Sequence, residues 1–357
     1  MIPSDDKSLF VSGTGLINLD EIEHSKGSGI LRSLVDHGFN LSNNPKSSFF
    51  LALDHSRKDY CRFIEYGGDS SKAVLLRLEP EAIFPGEYLQ KIENLYAKII
   101  TPGALGTGDH SAPEFGWGHF QSANPLIPGK LRAKDATMLN EDTVTDDAIF
   151  QSWKKRPINV SMVVSNKVSP VMSSNYAVRR LVAKRNKDEF IQIFGTLWTE
   201  TLYVQLKHRL AVLKFNLVNC YLPNLISIYG GLHNRYYGVN GPIEDKFTIL
   251  TSSRFTIVIE NQSTYISEKI FDAIASHTVP IYYGAKLECA GLPKNIAIQI
   301  TDVQLDIRSI VEDLNDQSAR EILKNGVEFL QSDLYVQHWN EQGANEKIVN
   351  ALLDVFK

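Results

Sequence analysis

The segment from Arg254 to Asp272, Arg-Phe-Thr-Ile-Val-Ile-Glu-Asn-Gln-Ser-Thr-Tyr-Ile-Ser-Glu-Lys-Ile-Phe-Asp, restricts the choice of fold more than any other stretch. It runs on to Val279-Pro-Ile-Tyr-Tyr-Gly-Ala285. The order reads strand, polar loop, helix, strand, glycine turn. Phe255 to Ile259 is a short, β-branched apolar run, which suits a buried parallel strand. Glu260 and Asn261 fall where that strand ends. Ser267 stands before Glu268-Lys269 and an apolar-periodic helix, in the N-cap position. Polar side chains at a strand's carboxyl end and a helix's amino end form the usual ligand edge of an α/β sheet. The free N–H groups and dipole of such a helix favour an anion such as a diphosphate.

Alternating signals of this kind recur. Leu9-Phe-Val-Ser, Phe49 to Asp54, Ala73 to Glu79 and Lys98-Ile-Ile-Thr read as strands. Gly29 to His37 reads as a helix ended by Gly38, and Tyr88 to Tyr96 as a further helix. Thr101 to about Arg156 is rich in Gly, Pro, Asn and Asp and reads as irregular. Ile158 to Asn166, Phe190 to Gly195 and Leu225 to Gly231 read as strands, Tyr176 to Lys187 as a helix. The tail from Ile307 is largely helical, with Trp339 in a packing role. Length points the same way: 357 residues exceed one core and suit two domains. The boundary falls near the end of the irregular stretch, giving domains 1–155 and 156–357.

The order and spacing of the opening segment resemble the donor-binding motif of the family 10 α-1,3-fucosyltransferases. The matching residues are Ser253-Arg254-Phe255, Glu260-Asn261, Tyr265-Ile266-Ser267-Glu268-Lys269 and Val279 to Ala285. Arg254 stands where the family has lysine, and the loop from Asn261 to Tyr265 is shorter than in some members. The resemblance implies a GT-B fold, two Rossmann-like domains with parallel sheets facing a central cleft. The first would bind the acceptor and the second the nucleotide sugar. It implies transfer of fucose from GDP-fucose to a glycan in α-1,3 or α-1,4 linkage, with inversion and without a metal or other cofactor.

By that resemblance Lys269 takes the diphosphate, Glu268 the ribose hydroxyls, Tyr265 the phosphates and Asn261 phosphate or sugar. Each has a plainer reading: an exposed Glu-Lys pair on a first helical turn, or a packed tyrosine. The family also has Ser-Asn followed by an arginine on the diphosphate. Here Val164-Ser-Asn-Lys167 precedes Arg179-Arg180, with Arg180 favoured, Arg179 the alternate and a solvated basic face the plainer reading. Lys246 follows a loop, Tyr236 to Pro242, similar to the family's glycine loop, and is assigned to the phosphates or to the surface. Glu79 corresponds to the proposed catalytic base, at a strand end in the first domain. Glu81, Glu87 and Glu114 compete with it, and a turn-capping role is its alternative.

Other classes fit less well. The net charge is −4, so no global cationic field favours nucleic acid or anionic lipid. Cys61, Cys220 and Cys289 have neither disulfide nor zinc spacing, which suits a reducing compartment. The nine histidines show no metal-ligand spacing, and Asp-x-Asp is absent from the sequence. Gly13-Thr-Gly15 and Gly27-Ser-Gly29 do not complete a dinucleotide fingerprint, which makes an oxidoreductase the most distant reading. No apolar run approaches a membrane span, so the expectation is a soluble, cytoplasmic protein of bacterial or viral type. A transferase for another nucleotide sugar and a non-catalytic binding homologue remain open. So do the acceptor and the oligomeric state.

Overall fold

The computed structural model describes residues 7–13, 17–25, 27–102, 111–112, 146–218, 221–230, 235–301 and 306–356. The chain divides into two units, one of Met1–Gly129 with Val336–Lys357 and one of Lys130–Tyr335.

The first unit is built on a parallel sheet. Its strands are β1 (Ser8–Gly13), β2 (Asn40–Ser42), β3 (Phe49–Leu53), β4 (Ala73–Leu76), β5 (Lys98–Pro102) and β6 (Ser111–Ala112). Their order is β2-β1-β3-β4-β5-β6. Leu9 pairs with Phe49 and Phe50 with Ala73, so β3 lies between two partners. Every residue of β3 is buried. That explains its unbroken apolar run, since a parallel strand covered on both faces has no solvent side. Helices α1 (Ser28–Asp36), α2 (Arg57–Glu65) and the single turn α3 (Gln90–Glu93) follow their strands. Phe50 stacks on Phe63 of α2 at 5.2 Å between ring centroids.

The second unit has its own parallel sheet: β7 (Ile158–Val163), β8 (Ile191–Phe194), β9 (Val239–Gly241), β10 (Ser253–Ile259), β11 (Val279–Tyr283) and β12 (Ile298–Gln299). The order is β12-β11-β10-β7-β8-β9. The first strand, β7, is therefore central. The chain steps outward to β9, returns to β10, then steps outward the other way. This is the doubly wound Rossmann order, whose switch point lies between the carboxyl ends of β7 and β10. Helices α4 (Asp146–Lys154), α5 (Tyr176–Arg185), α6 (Leu202–Val218), α7 (Leu225–Tyr229), α8 (Lys246–Ser252), α9 (Glu268–Ala275), α10 (Ile307–Asp313) and α11 (Asp316–Leu330) belong to this unit. Two Rossmann-like α/β units on parallel sheets are the fold class expected of a GT-B enzyme.

Several expectations need correction. The units depart from 1–155 and 156–357 at both edges. Trp153 of α4 packs edge-on against Phe255 at 5.4 Å, which ties α4 to the second unit. The C-terminal helix Glu341–Val355 returns to α1, where Gly29 leaves room for the Asn345 side chain. Phe356 then seals against Phe39 and Phe49. Leu225–Tyr229, read as a strand, is helical because the Asn224 side chain accepts from Ser227 N and caps it. Asp146–Lys154 is helical within the stretch read as irregular. Most of the rest of that stretch lies outside the described residues. No helix among the described residues is long and apolar enough to cross a membrane.

Candidate functional site

The switch point of the second unit gathers most of the singled-out residues. Glu260 directly follows β10 and is fully buried. A lone carboxylate there would cost several kcal/mol, so its partners define the site. Its Oε1 accepts from Ser267 N at 2.9 Å and its Oε2 from Ser267 Oγ at 2.7 Å. Lys269 Nζ lies 3.4 Å from Oε2 and 2.7 Å from Ser267 Oγ. Ser267 occupies the N-cap position of α9, yet its hydroxyl makes no cap bond to the helix. The hydroxyl is committed to Glu260 instead, so the amino end of α9 keeps its anion-binding character.

Gly284 is part of this construction. A Cβ there would stand 2.5 Å from the Tyr282 hydroxyl and 2.8 Å from Glu260 Cγ. Only glycine lets the chain after β11 pass so close to both groups.

Glu268 and Lys269 sit side by side with Nζ to Oε1 at 3.8 Å. Burial pushes the Glu268 carboxyl up, but Lys269 and Lys246 outweigh it and hold it below its ordinary value. Burial likewise pulls Lys269 down, and Glu268 with Glu260 more than reverses that, so the ammonium is held charged. A cavity of about 120 Å³ lies beside this pair, with Val164, Lys246 and Asp272 in its lining.

Two helices meet the same edge. Asn175, at the start of α5, donates its backbone N–H to the Asn261 carbonyl at 2.9 Å. From α5 the buried Arg179 donates to the Ile259 carbonyl at 2.8 Å and to Asn261 Oδ1 at 2.7 Å. Arg180 turns to the loop after β7 and donates to the Lys167 carbonyl at 3.1 Å. Burial pulls both guanidinium groups down from a value high enough to leave them cationic. Arg179, the alternate in the sequence reading, is thus the arginine that reaches the Glu-Asn motif. Asn166 pins the loop after β7 to the loop after β8, its side chain donating to the Leu197 carbonyl at 2.9 Å.

The remaining residues fall into three places. Tyr265 is buried within the loop between Asn261 and Ser267. Lys246 begins α8 and forms an ion pair with the buried Asp272 of α9. That pairing gives it a structural task beside Glu268. Arg254 is corrected outright. It is the second residue of β10, at the amino end of the strand, whereas the site lies past Ile259. Its guanidinium covers the Trp153 ring at 4.5 Å and donates to Asn159 Oδ1 at 3.3 Å.

In the first unit, β4 ends at Leu76, and half-buried Glu79 lies in the bend beyond it rather than in the strand. The bend is held from several sides. Leu78 N donates to Asp54 Oδ1 at 2.6 Å, and the Tyr88 hydroxyl to the Glu79 carbonyl at 3.1 Å. The buried Arg77 stacks over the Tyr88 ring at 3.9 Å and donates to Glu93 at 2.8 Å. Of the competitors, Glu87 is buried and accepts from His55 N at 2.6 Å, which assigns it to the scaffold. Glu81 stays half-buried in the same bend, and Glu114 lies outside the described residues.

Glu260 as an anchor, Asn175 and Asp272 were not singled out as site residues. Glu260 has a local signal in its place at the end of β10, and Asp272 has one in standing four residues after Glu268 and so on the same helix face.

Neither a family model nor a curated protein sequence matches this chain. Solved structures do resemble it. A glycosyltransferase from Rickettsia africae ESF-5 aligns over 99% of both chains at 10% identity and TM-score 0.49. An α1,3-fucosyltransferase with GDP aligns over 100% of this chain and 93% of its own at 15% identity and TM-score 0.49. Anabaena Alr3699/HepE in complex with UDP and glucose aligns over 97% and 99% at 12% identity and TM-score 0.49. At such values the chemistry of the site has to be read from its own side chains.

Proposed function

We propose that this chain is an inverting GT-B glycosyltransferase of the family 10 type. It moves fucose from GDP-fucose to a glycan hydroxyl in α-1,3 or α-1,4 linkage. One observation carries the reading: Glu260, Ser267 and Lys269 lock together at the switch point, with Arg179 on Asn261 beside them. A buried carboxylate fixes a lysine at a helix amino end, and a buried arginine closes the other side. This arrangement suits a departing diphosphate, because fixed cations and N–H groups stabilise developing negative charge without reorganising.

In the proposed reaction the acceptor oxygen attacks the anomeric carbon. The bond to the β-linked diphosphate breaks with its electron pair going to GDP. The proton of the acceptor hydroxyl passes to Glu79. Lys269, Arg179 and Arg180 face the leaving diphosphate, Tyr265 supports it, and Glu268 takes the ribose hydroxyls. A single displacement turns the β-linked donor into an α-linked product. The same site would serve another nucleotide sugar, and a homologue without a working base would bind GDP without turnover.

Assaying the full chain with GDP-fucose against a glycan library tests this. GDP release with an α-linked product is expected, and it persists in EDTA because side-chain cations supply the charge. Activity that disappears in EDTA and returns with Mn²⁺ contradicts the metal-free reading. Glu79→Gln lowers kcat on the order of 10²-fold while GDP affinity stays near that of the native chain. Near-normal turnover moves the base to Glu81 or Glu114.

A further inference from the structure

The connection between β8 and β9 carries a helix that is inside out. In a helix on the surface of a soluble protein the apolar stripe faces the core. In α6 the two most buried side chains are Arg209 and Asn216. Arg209 donates inward to the carbonyls of Ile228 and Gly230, and Asn216 to the Val212 carbonyl at 2.8 Å. Most of the outward positions are apolar instead. Tyr203 is 74% exposed and Val218 71%, with Leu210 and Leu217 about half exposed. On α7, Leu225 and Ile226 extend the same character. Apolar exposure concentrated in this way marks an interaction surface rather than ordinary surface variation.

Charge decides what covers it. Between Glu200 and Glu244 the sequence has no Asp or Glu. Its cations are Lys207, Arg209, Lys214 and Arg235, in a chain whose net charge is −4. Arg209 is used inside, whereas Lys207 and Lys214 are exposed. They stand two helical turns apart, on the face that also presents Leu210. A second copy meeting this face about a two-fold axis would bring like charges together with no carboxylate from the segment between them.

We propose that α6 and α7 rest on an anionic bilayer surface, with the apolar side chains entering the interface and Lys207 and Lys214 facing acidic headgroups. Such a helix lies on the membrane rather than across it. The inference does not depend on the donor assignment.

Flotation of the full chain tests it, with vesicles of phosphatidylcholine alone and of phosphatidylcholine mixed with phosphatidylglycerol. The native chain floats with the mixed vesicles and not with the neutral ones. Lys207→Gln with Lys214→Gln weakens partition roughly 30-fold, the combined effect of two surface lysines. Leu210→Asp with Leu217→Asp abolishes it, with a thermal melt showing that each variant is folded. Absence of native flotation overturns the proposal, as does equal binding to neutral vesicles. So does a concentration-dependent dimer that the leucine variant dissolves.

Discussion

Lys269→Ala lowers kcat/KM for the nucleotide sugar by about 2–4 kcal/mol, roughly 30- to 1,000-fold. The magnitude is that of one electrostatic stabiliser lost from a preorganised site. Lys269 qualifies because it does not wave from a surface. Its Nζ is held by Ser267 Oγ and by Glu260, and both of those are buried. Neighbouring carboxylates keep it charged although the side chain is partly buried. The substitution also strips a cation from buried Glu260, so stability must be measured in parallel. Ser267 still donates twice to that carboxylate, which limits the loss. A fall in kcat/KM with a nearly native melting temperature identifies a leaving-group role. Unchanged kcat/KM assigns Lys269 to the scaffold alone.

Acid weakens the fold before most carboxylates titrate. His55 and His277 are both buried. His55 is brought down to about 4 by burial and then by Arg57, and His277 to about 4 by burial and then by Arg156. A histidine with a folded value below its unfolded one stabilises the protein above about pH 6.5. That contribution is lost as the pH falls towards 4 and changes little below it. Each is worth roughly 3 kcal/mol at neutral pH on this account. His277 is the sharper case, because neither ring nitrogen has a hydrogen-bond partner among the described residues. It also has φ 51°, in the left-handed region that asparagine tolerates better than most residues. Urea unfolding at pH 7.5 and 4.5 therefore shows a large stability loss in the native chain. His277→Asn removes about half of the histidine contribution to that loss. Equal acid sensitivity in native and variant chains contradicts the assignment.

What could be read in advance was local. Phe255 to Gly284 declared a strand, a helix start and a second strand through patterning within a few residues, and those elements formed. Arg179 against Arg180 was not decidable in that way. Adjacent helix residues point about 100° apart, and the choice needs to know where β10 ends in space. The anchoring of Glu260 by Ser267 was equally hidden, because an N-cap serine and a serine bonded to a carboxylate look alike in sequence. Arg254 is the opposite lesson. It stands five residues before Ile259, which at about 3.3 Å per residue is roughly 16 Å from the strand's far end. That distance is legible in the sequence, although the motif resemblance draws Arg254 into the site. The return of the C-terminal helix to α1 is a tertiary preference with no marker of its own. Leu225–Tyr229 shows how a short apolar run leaves strand and helix undecided until a cap such as Asn224 selects one.

A guanosine diphosphate site at the switch point of the second unit has a direct thermodynamic signature. Calorimetric titration of the full chain with GDP and with UDP tests it most directly. GDP is expected to bind at least about tenfold tighter than UDP, a difference of roughly 1.4 kcal/mol. Equal or tighter binding of UDP, or no heat from either nucleotide, would contradict it.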